Sequence, residues 1–130
     1  MSVRKDVTIL YVDDEEINIF LFERSFQSFY NVITATSGEA GLESLKNNAD
    51  DIIVVISDMR MPGMNGIEFI RKAHDQYKNI AYYILTAFSY SEEIELALKE
   101  HVINEFFTKP FDIDVIKTAV DRAVEEFKKN

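Results

Sequence analysis

The feature that most constrains the fold of this 130-residue chain is an uninterrupted apolar run near its centre, Ile-Ile-Val-Val-Ile at residues 52–56. Such β-branched residues favour strands, and a strand that is apolar on both faces is typical of a parallel sheet covered by helices on each side. Parallel strands need long crossover connections, which are usually helices. We therefore predict a strand at residues 51–57 in the middle of an α/β sandwich.

The rest of the chain alternates short apolar runs with longer stretches whose apolar residues recur at helical spacing. This pattern predicts strands at 7–12, 30–34, 51–57, 80–86 and 105–108, and helices at 16–27, 38–47, 66–77, 91–100 and 112–127. Ser91 and Asp112 are the predicted N-caps of the last two helices. In the first helix, Ile17, Phe20 and Leu21 recur at helical spacing. We expect four phenylalanines in this helix and just after it to be core residues: Phe20, Phe22, Phe26 and Phe29.

The charge balance limits the partners of the chain. Fourteen basic and twenty-three acidic side chains give a formal net charge of −9. A chain of this charge repels phosphate backbones and anionic lipids, so we expect no direct nucleic-acid binding and no membrane binding. The absence of cysteine excludes disulfides and thiolate metal sites. The sequence has neither a signal-peptide pattern nor a membrane-spanning run, so we expect a cytoplasmic protein.

Reactive side chains cluster directly after the predicted strands. Asp13 and Asp14 follow the first strand, Asp58 follows the third, Thr86 ends the fourth, and Lys109 follows the fifth. Right-handed crossovers bring the carboxyl ends of parallel strands to one edge of the sheet, where ligands bind in such folds. Three carboxylates at one point repel one another unless cations neutralise them, and their oxygens suit Mg²⁺. The sequence therefore predicts a magnesium site at this edge.

The same residues suit the transfer of a phosphoryl group to Asp58. Three carboxylates, one Mg²⁺ and the Lys109 ammonium sum to zero charge, so the site can accept a phosphoryl group. Asp58 is the candidate nucleophile, with Asp13 and Asp14 as candidate metal ligands. Lys109 and the Thr86 hydroxyl are candidate partners of the phosphoryl oxygens.

Four blocks of sequence, in this order, resemble the receiver domain of two-component response regulators. They are VDDE at 12–15, ISDMRMPGMNG at 56–66, LTA at 85–87 and FFTKPF at 106–111. The resemblance covers essentially the whole chain and implies that residues 1–130 form one receiver domain. It implies a flavodoxin-like, doubly wound, five-stranded parallel sheet with the strand order 2-1-3-4-5.

The resemblance also implies a signalling chemistry. Asp58 would be phosphorylated by a sensor histidine kinase or a phosphotransfer protein and would then lose the phosphoryl group by slow self-catalysed hydrolysis, without enzymatic turnover. Mg²⁺, or Mn²⁺ in its place, would be held directly by Asp14, Asp58 and the Arg60 main-chain carbonyl, and by Asp13 largely through water. The Lys109–Pro110 peptide bond would be cis.

Thr86 and Phe106 match the switch pair of the family, in which the phosphoryl group draws in the hydroxyl and the aromatic ring moves inward. Many relatives carry tyrosine at the position of Phe106, so the inward rotamer would depend on packing alone here. The switch would change the surface of the fourth helix, fifth strand and fifth helix, towards an output partner or a phosphorylation-dependent homodimer. Arg60 and Phe88 would screen the phosphoryl group from water and lengthen its lifetime.

Three other functions remain to be compared with the receiver. A flavodoxin-like carrier of flavin mononucleotide needs a hydroxyl-rich phosphate loop after the first strand, where this chain has four acids at 13–16. A haloacid-dehalogenase-like phosphatase needs Asp-x-Asp, but Asp58 is followed by Met59 and Arg60. An interaction module that is never phosphorylated would not need the full set of acids, threonine and lysine.

Overall fold

A computed structural model describes residues 6–87 and 91–127 of the chain. Over these residues the elements are β1 (Thr8–Val12), α1 (Glu16–Phe26), β2 (Asn31–Ala35), α2 (Gly38–Asn48), β3 (Ile52–Asp58), α3 (Gly66–Gln76), β4 (Ala81–Thr86), α4 (Glu92–Lys99), β5 (Glu105–Thr108) and α5 (Ile113–Phe127). All strand pairs are parallel, in the order β2-β1-β3-β4-β5. The predicted flavodoxin-like fold is confirmed, and every observed element end lies within one residue of its prediction.

Hydrophobic side chains cover both faces of the sheet. Every residue of β3 is buried, as the apolar run predicts. On one face, β1 residues such as Tyr11 pack with α1 and α5, and on the other, residues such as Leu10 pack with α2, α3 and α4. The sheet is therefore doubly wound, because successive residues of each strand point to opposite faces. Within the described residues, no helix has the length and apolar character needed to cross a membrane.

The face of α1 that packs on the sheet differs from the prediction. Phe22 and Phe26 are fully buried, whereas Phe20 is 51 % exposed, so the assignment of Phe20 to the core was wrong. Ile17 and Leu21 are exposed beside it. Residues 17, 20 and 21 share one side of the helix and residues 22 and 26 share the opposite side, so helical spacing alone fits either orientation. Phe29 is half-buried against the same cluster as Phe22.

Side-chain caps fix the starts of the helices near the carboxyl edge of the sheet. The Ser91 hydroxyl accepts a hydrogen bond from the Ile94 amide at 3.1 Å, and Asp112 Oδ1 accepts one from the Asp114 amide at 2.9 Å, which confirms both predicted N-caps. Asn65 caps α3: its side chain accepts from the Glu68 amide, and the Glu68 carboxylate accepts from the Asn65 amide. These caps satisfy backbone donors that would otherwise be unpaired.

The loop from β3 to α3 passes close to Asp58. The Gly66 amide donates to the Met59 carbonyl oxygen at 2.8 Å, which closes the loop. A Cβ atom at Gly66 would overlap the carbonyl oxygen of Asp58 and lie 2.9 Å from Ile84 Cδ1. Gly63, at the outer part of the loop, has a φ of +76° and open space around its Cα. Glycine is therefore needed at these two positions for different reasons.

Candidate functional site

Three carboxylates meet where β1 and β3 end. The two strands are neighbours, with Val12 paired to Ser57, so Asp13 and Asp58 follow at adjacent points of the sheet edge. One oxygen from each of Asp13, Asp14 and Asp58 lies within 4.8 Å of the others. Asp13 and Asp58 are buried and Asp14 is exposed. The structure therefore brings together the three acids that the sequence analysis grouped, with one side open to solvent.

The ammonium group of Lys109 lies against two of these acids. Lys109 Nζ is 3.0 Å from Asp58 Oδ1 and 3.8 Å from Asp13 Oδ2. The Lys109 amide donates to the Thr86 carbonyl oxygen at 2.8 Å, and the Lys109–Pro110 peptide bond is cis, as the resemblance implies. The backbone after β5 thus holds the lysine side chain over the carboxyl end of β3.

A tyrosine that the sequence analysis did not single out contacts the acid cluster. The Tyr11 hydroxyl donates to Asp13 Oδ2 at 2.7 Å, and the Glu15 amide donates to Asp13 Oδ1 at 3.0 Å. Burial raises the pKa of Tyr11, and the adjacent Asp13 carboxylate raises this pKa further, so the phenol stays protonated. Strand alternation carries a signal for this contact, because residue 13 directly follows β1 and is two positions after residue 11, a spacing that places both on one side of an extended chain.

Thr86 and Phe106 lie on neighbouring strands at the same face of the sheet. In the register of β4 and β5, Ile84 is paired with Phe106 and Thr86 with Thr108. Thr86 is buried at the carboxyl end of β4, and Phe106 is half-buried against the cluster formed with α3 and α4. The two predicted switch residues are therefore one diagonal step apart.

Arg60 is exposed in the loop after β3. With Met59, Asn65, Thr86, Ser91, Glu93 and Ile94 it lines a cavity of about 400 Å³. This cavity extends from the loop to the buried threonine of β4. Phe88, the second residue predicted to tune hydrolysis, lies outside the described residues.

The pKa of Asp58 is raised above its usual value, and this shift affects the stability of the metal-free protein. Burial raises the pKa of Asp58 above 3.8, and the charge of Asp13 raises it further, whereas the hydrogen bond from Lys109 lowers it; the net shift is upward. The native state therefore binds this proton more tightly than the unfolded chain does. We expect Asp58 to lower the free energy of unfolding as the pH rises from 3.8 through the raised pKa.

Urea unfolding of the wild type and of Asp58→Asn, without divalent metal, measures this effect. The stability of the wild type relative to the variant should fall across that pH range, by about 1.4 kcal/mol for each pH unit of the shift. A difference between the two proteins that does not change with pH would contradict the expectation.

Comparison with known proteins decides the family. The sequence-family model "Response regulator receiver domain" matches residues 9–121 of this chain. This chain belongs to the response regulator receiver domain family. The receiver resembles "Sporulation initiation phosphotransferase F" of Bacillus subtilis, with 35 % identity over 115 residues, which cover 88 % of this chain and 90 % of that protein.

Other relatives are much longer than this receiver. "Hydrogenase transcriptional regulatory protein HoxA" of Cupriavidus necator is 28 % identical over 121 residues, which are 93 % of this chain but 25 % of that protein. "Transcriptional regulatory protein GlrR" of Escherichia coli is 33 % identical over 126 residues, 97 % of this chain and 28 % of that protein. The receiver thus spans about a quarter of these two regulators.

Solved structures support the same family. A response regulator receiver domain protein from Clostridium thermocellum has a TM-score of 0.88 and 29 % identity, with 94 % of this chain and 97 % of that chain covered. The response regulator TrrA from Thermotoga maritima, solved with Mg²⁺ and BeF, has a TM-score of 0.78 and 29 % identity over 90 % of this chain and 98 % of that one. These matches favour the receiver over the flavin carrier and the haloacid-dehalogenase-like phosphatase.

Proposed function

We propose that this receiver accepts one phosphoryl group on the Asp58 carboxylate, in a reaction that requires Mg²⁺, from a sensor histidine kinase or a phosphotransfer protein. The observation that supports this function best is the 3.0 Å contact between Lys109 Nζ and Asp58 Oδ1 inside a cluster of three carboxylates. The ammonium group leaves the cluster with a net charge of −2, which one divalent cation balances.

The residues of the cluster fit a hard divalent cation. Their ligand atoms are carboxylate oxygens close enough to share one ion, and such ligands suit Mg²⁺, with Mn²⁺ as a substitute. In our proposal Asp14, Asp58 and the Arg60 main-chain carbonyl hold the ion directly, and Asp13 holds it largely through water. When bound, the ion supplies positive charge that neutralises the carboxylates and the incoming phosphoryl oxygens.

Phosphoryl transfer to Asp58 needs little covalent chemistry from the protein. A carboxylate oxygen of Asp58 forms the new bond to phosphorus while the bond to the donor breaks, and the electron pair of that bond leaves with the donor imidazole, or with acetate when acetyl phosphate is the donor. The Lys109 ammonium and the Thr86 hydroxyl stabilise the charge on the transferred group. The protein acts once per phosphoryl group, without turnover of a substrate, and slow self-catalysed hydrolysis returns Asp58 to its free form.

A partner recognises the phosphorylated form by binding to it. In our proposal the Thr86 hydroxyl moves towards the phosphoryl oxygens, and Phe106 moves into the space that it leaves. The surface of α4, β5 and α5 then changes, and an output partner or a second copy of the chain binds it. Arg60 and Phe88 screen the phosphoryl group from water and so lengthen its lifetime. The proposed receiver domain extends over residues 1–130.

Acetyl phosphate and intact-mass spectrometry test the proposal on the wild-type chain. With Mg²⁺ present, the protein should gain the mass of one phosphoryl group and stop, and the label should be released by hydroxylamine, as an acyl phosphate is. With the metal chelated, the gain should disappear. Absence of labelling at saturating Mg²⁺ would overturn the proposal, and steady hydrolysis of a phosphomonoester would point instead to the haloacid-dehalogenase-like phosphatase.

A further inference from the structure

Both oxygens of the buried Asp13 carboxylate already have hydrogen-bond donors. The Glu15 amide donates to Oδ1 at 3.0 Å, and the Tyr11 hydroxyl donates to Oδ2 at 2.7 Å. Lys109 Nζ lies 3.8 Å from the same Oδ2, which is beyond hydrogen-bond distance. The phenol is therefore the hydrogen-bond donor of Oδ2, and the ammonium group of Lys109 is not.

The ring of Tyr11 is held rigidly in this position. Tyr11 is buried, and its ring stacks on that of Phe22 with 4.0 Å between centroids and 2° between planes. Phe22 is itself fully buried and contacts the rings of Phe26 and Phe111. The hydroxyl group thus cannot leave Asp13 without disturbing packed aromatic rings.

Lys109 is placed between two competing carboxylates. It is 3.0 Å from Asp58 Oδ1 and 3.8 Å from Asp13 Oδ2, so a movement of under an ångström would change its partner. A carboxylate oxygen that accepts a strong hydrogen bond attracts a second donor to that same oxygen less, and an oxygen without a donor in a buried site is costly. The balance between the two partners therefore depends on the donor that Asp13 already has.

We propose that Tyr11 is a positioning residue of the phosphorylation site: its hydroxyl group saturates Asp13, keeps Lys109 on Asp58 and orients Asp13 towards the divalent cation. This inference rests on the proposed function. Without the hydroxyl group, Lys109 shifts to Asp13, so Asp58 loses its ammonium partner. Asp13 also loses the hydrogen-bond donor that fixes the plane of its carboxylate. The affinity for Mg²⁺ then falls, and the rate of phosphoryl transfer falls with it.

Tyr11→Phe tests the inference, because it removes the hydroxyl group and keeps the ring on Phe22. Hydrogen-bond partners of metal ligands typically change metal affinity by about 10–100-fold. We expect the Kd for Mg²⁺, measured by calorimetry, to rise about tenfold, and the rate of labelling by acetyl phosphate at saturating Mg²⁺ to fall about tenfold.

Tyr82→Phe is the matched control. Tyr82 is also fully buried, and its hydroxyl donates to a main-chain carbonyl, that of Tyr77, at 2.7 Å. The same atom is removed, but far from the acids, so metal affinity and labelling rate should stay at the wild-type values. If both variants bind Mg²⁺ and react as the wild type does, the role of Tyr11 is refuted while the proposed function stands. If the wild type itself is not labelled, the proposed function has failed instead.

A second comparison separates positioning of Lys109 from a general loss of structure. In a Lys109→Ala background, Tyr11→Phe should leave the labelling rate at saturating Mg²⁺ unchanged, because the ammonium group through which the hydroxyl acts is absent. The same tenfold loss in both backgrounds would overturn the proposed route through Lys109.

Discussion

Asp58→Asn is expected to abolish phosphorylation of this receiver. The amide that replaces the carboxylate is neutral and weakly nucleophilic, and it removes one negative oxygen from the metal cluster while the backbone of β3 is unchanged. Loss of a nucleophile typically costs a reaction several powers of ten. We expect labelling by acetyl phosphate and Mg²⁺ to fall at least ~10³-fold, below detection by intact-mass spectrometry.

Asp51→Asn is the control for this variant. Asp51 is exposed and directly precedes β3, so the same chemical change is made at the opposite end of the same strand. Its labelling should equal that of the wild type. Full labelling of Asp58→Asn at an acyl phosphate would identify another carboxylate as the acceptor and contradict the assignment.

Gly66→Ala is expected to lower the free energy of unfolding by about 2–4 kcal/mol, more than the other variants described for this receiver. The new Cβ would overlap the Asp58 carbonyl oxygen and crowd Ile84, and neither can retreat easily, because one is backbone and the other is fully buried. Relief of the overlap requires that the start of α3 move away from β3, which would break the 2.8 Å hydrogen bond from Gly66 to Met59. Urea unfolding with a wild-type m-value measures the change.

Gly63→Ala separates this steric effect from backbone conformation. Gly63 has a positive φ but open space around it, so alanine there should cost about 1 kcal/mol through its dihedral angles alone. An equal cost for the two variants would mean that the close approach of Gly66 to Asp58 does not determine the stability of the loop.

The fold and the acid cluster could be predicted because each depends on a local pattern. The apolar run at 52–56 identifies a strand buried on both faces, and right-handed crossovers bring the carboxyl ends of parallel strands to one edge. The strand order 2-1-3-4-5 was implied by the resemblance to receiver domains, because crossover handedness alone does not fix it. Parallel strands then bring Asp13, Asp58 and Lys109 to one edge, whatever the details of packing. The structure places these three residues together for that reason.

The orientation of α1 could not be predicted in the same way. Its sequence offers an apolar side with Phe20 and Leu21 and another with Phe22 and Phe26, and spacing does not distinguish them. The choice depends on Tyr11 of β1 and Phe111 after β5, whose rings contact Phe22. Those contacts join segments far apart in the sequence, so a single-helix pattern contains no information about them.

The contact between Tyr11 and Asp13 was missed for a related reason. Alternation along β1 places the two residues on one side of the strand, but the hydrogen bond also requires a particular ring orientation. That orientation comes from stacking on Phe22, which belongs to the next helix. The role of the tyrosine therefore became visible only when the packing of α1 was known.

The site combines residues from a central strand and from the end of a border strand, which are expected to differ in how readily they open. β3 is hydrogen-bonded to β1 and β4 and is buried throughout, whereas β5 is a four-residue strand at the border of the sheet. Border strands typically open at lower free energy than central ones, so we expect the amide hydrogens of β3 to exchange later than those of β5. Asp58 belongs to the central strand, whereas Lys109 directly follows the border strand. Local opening of β5 is therefore expected to move the ammonium group while the acceptor stays in place.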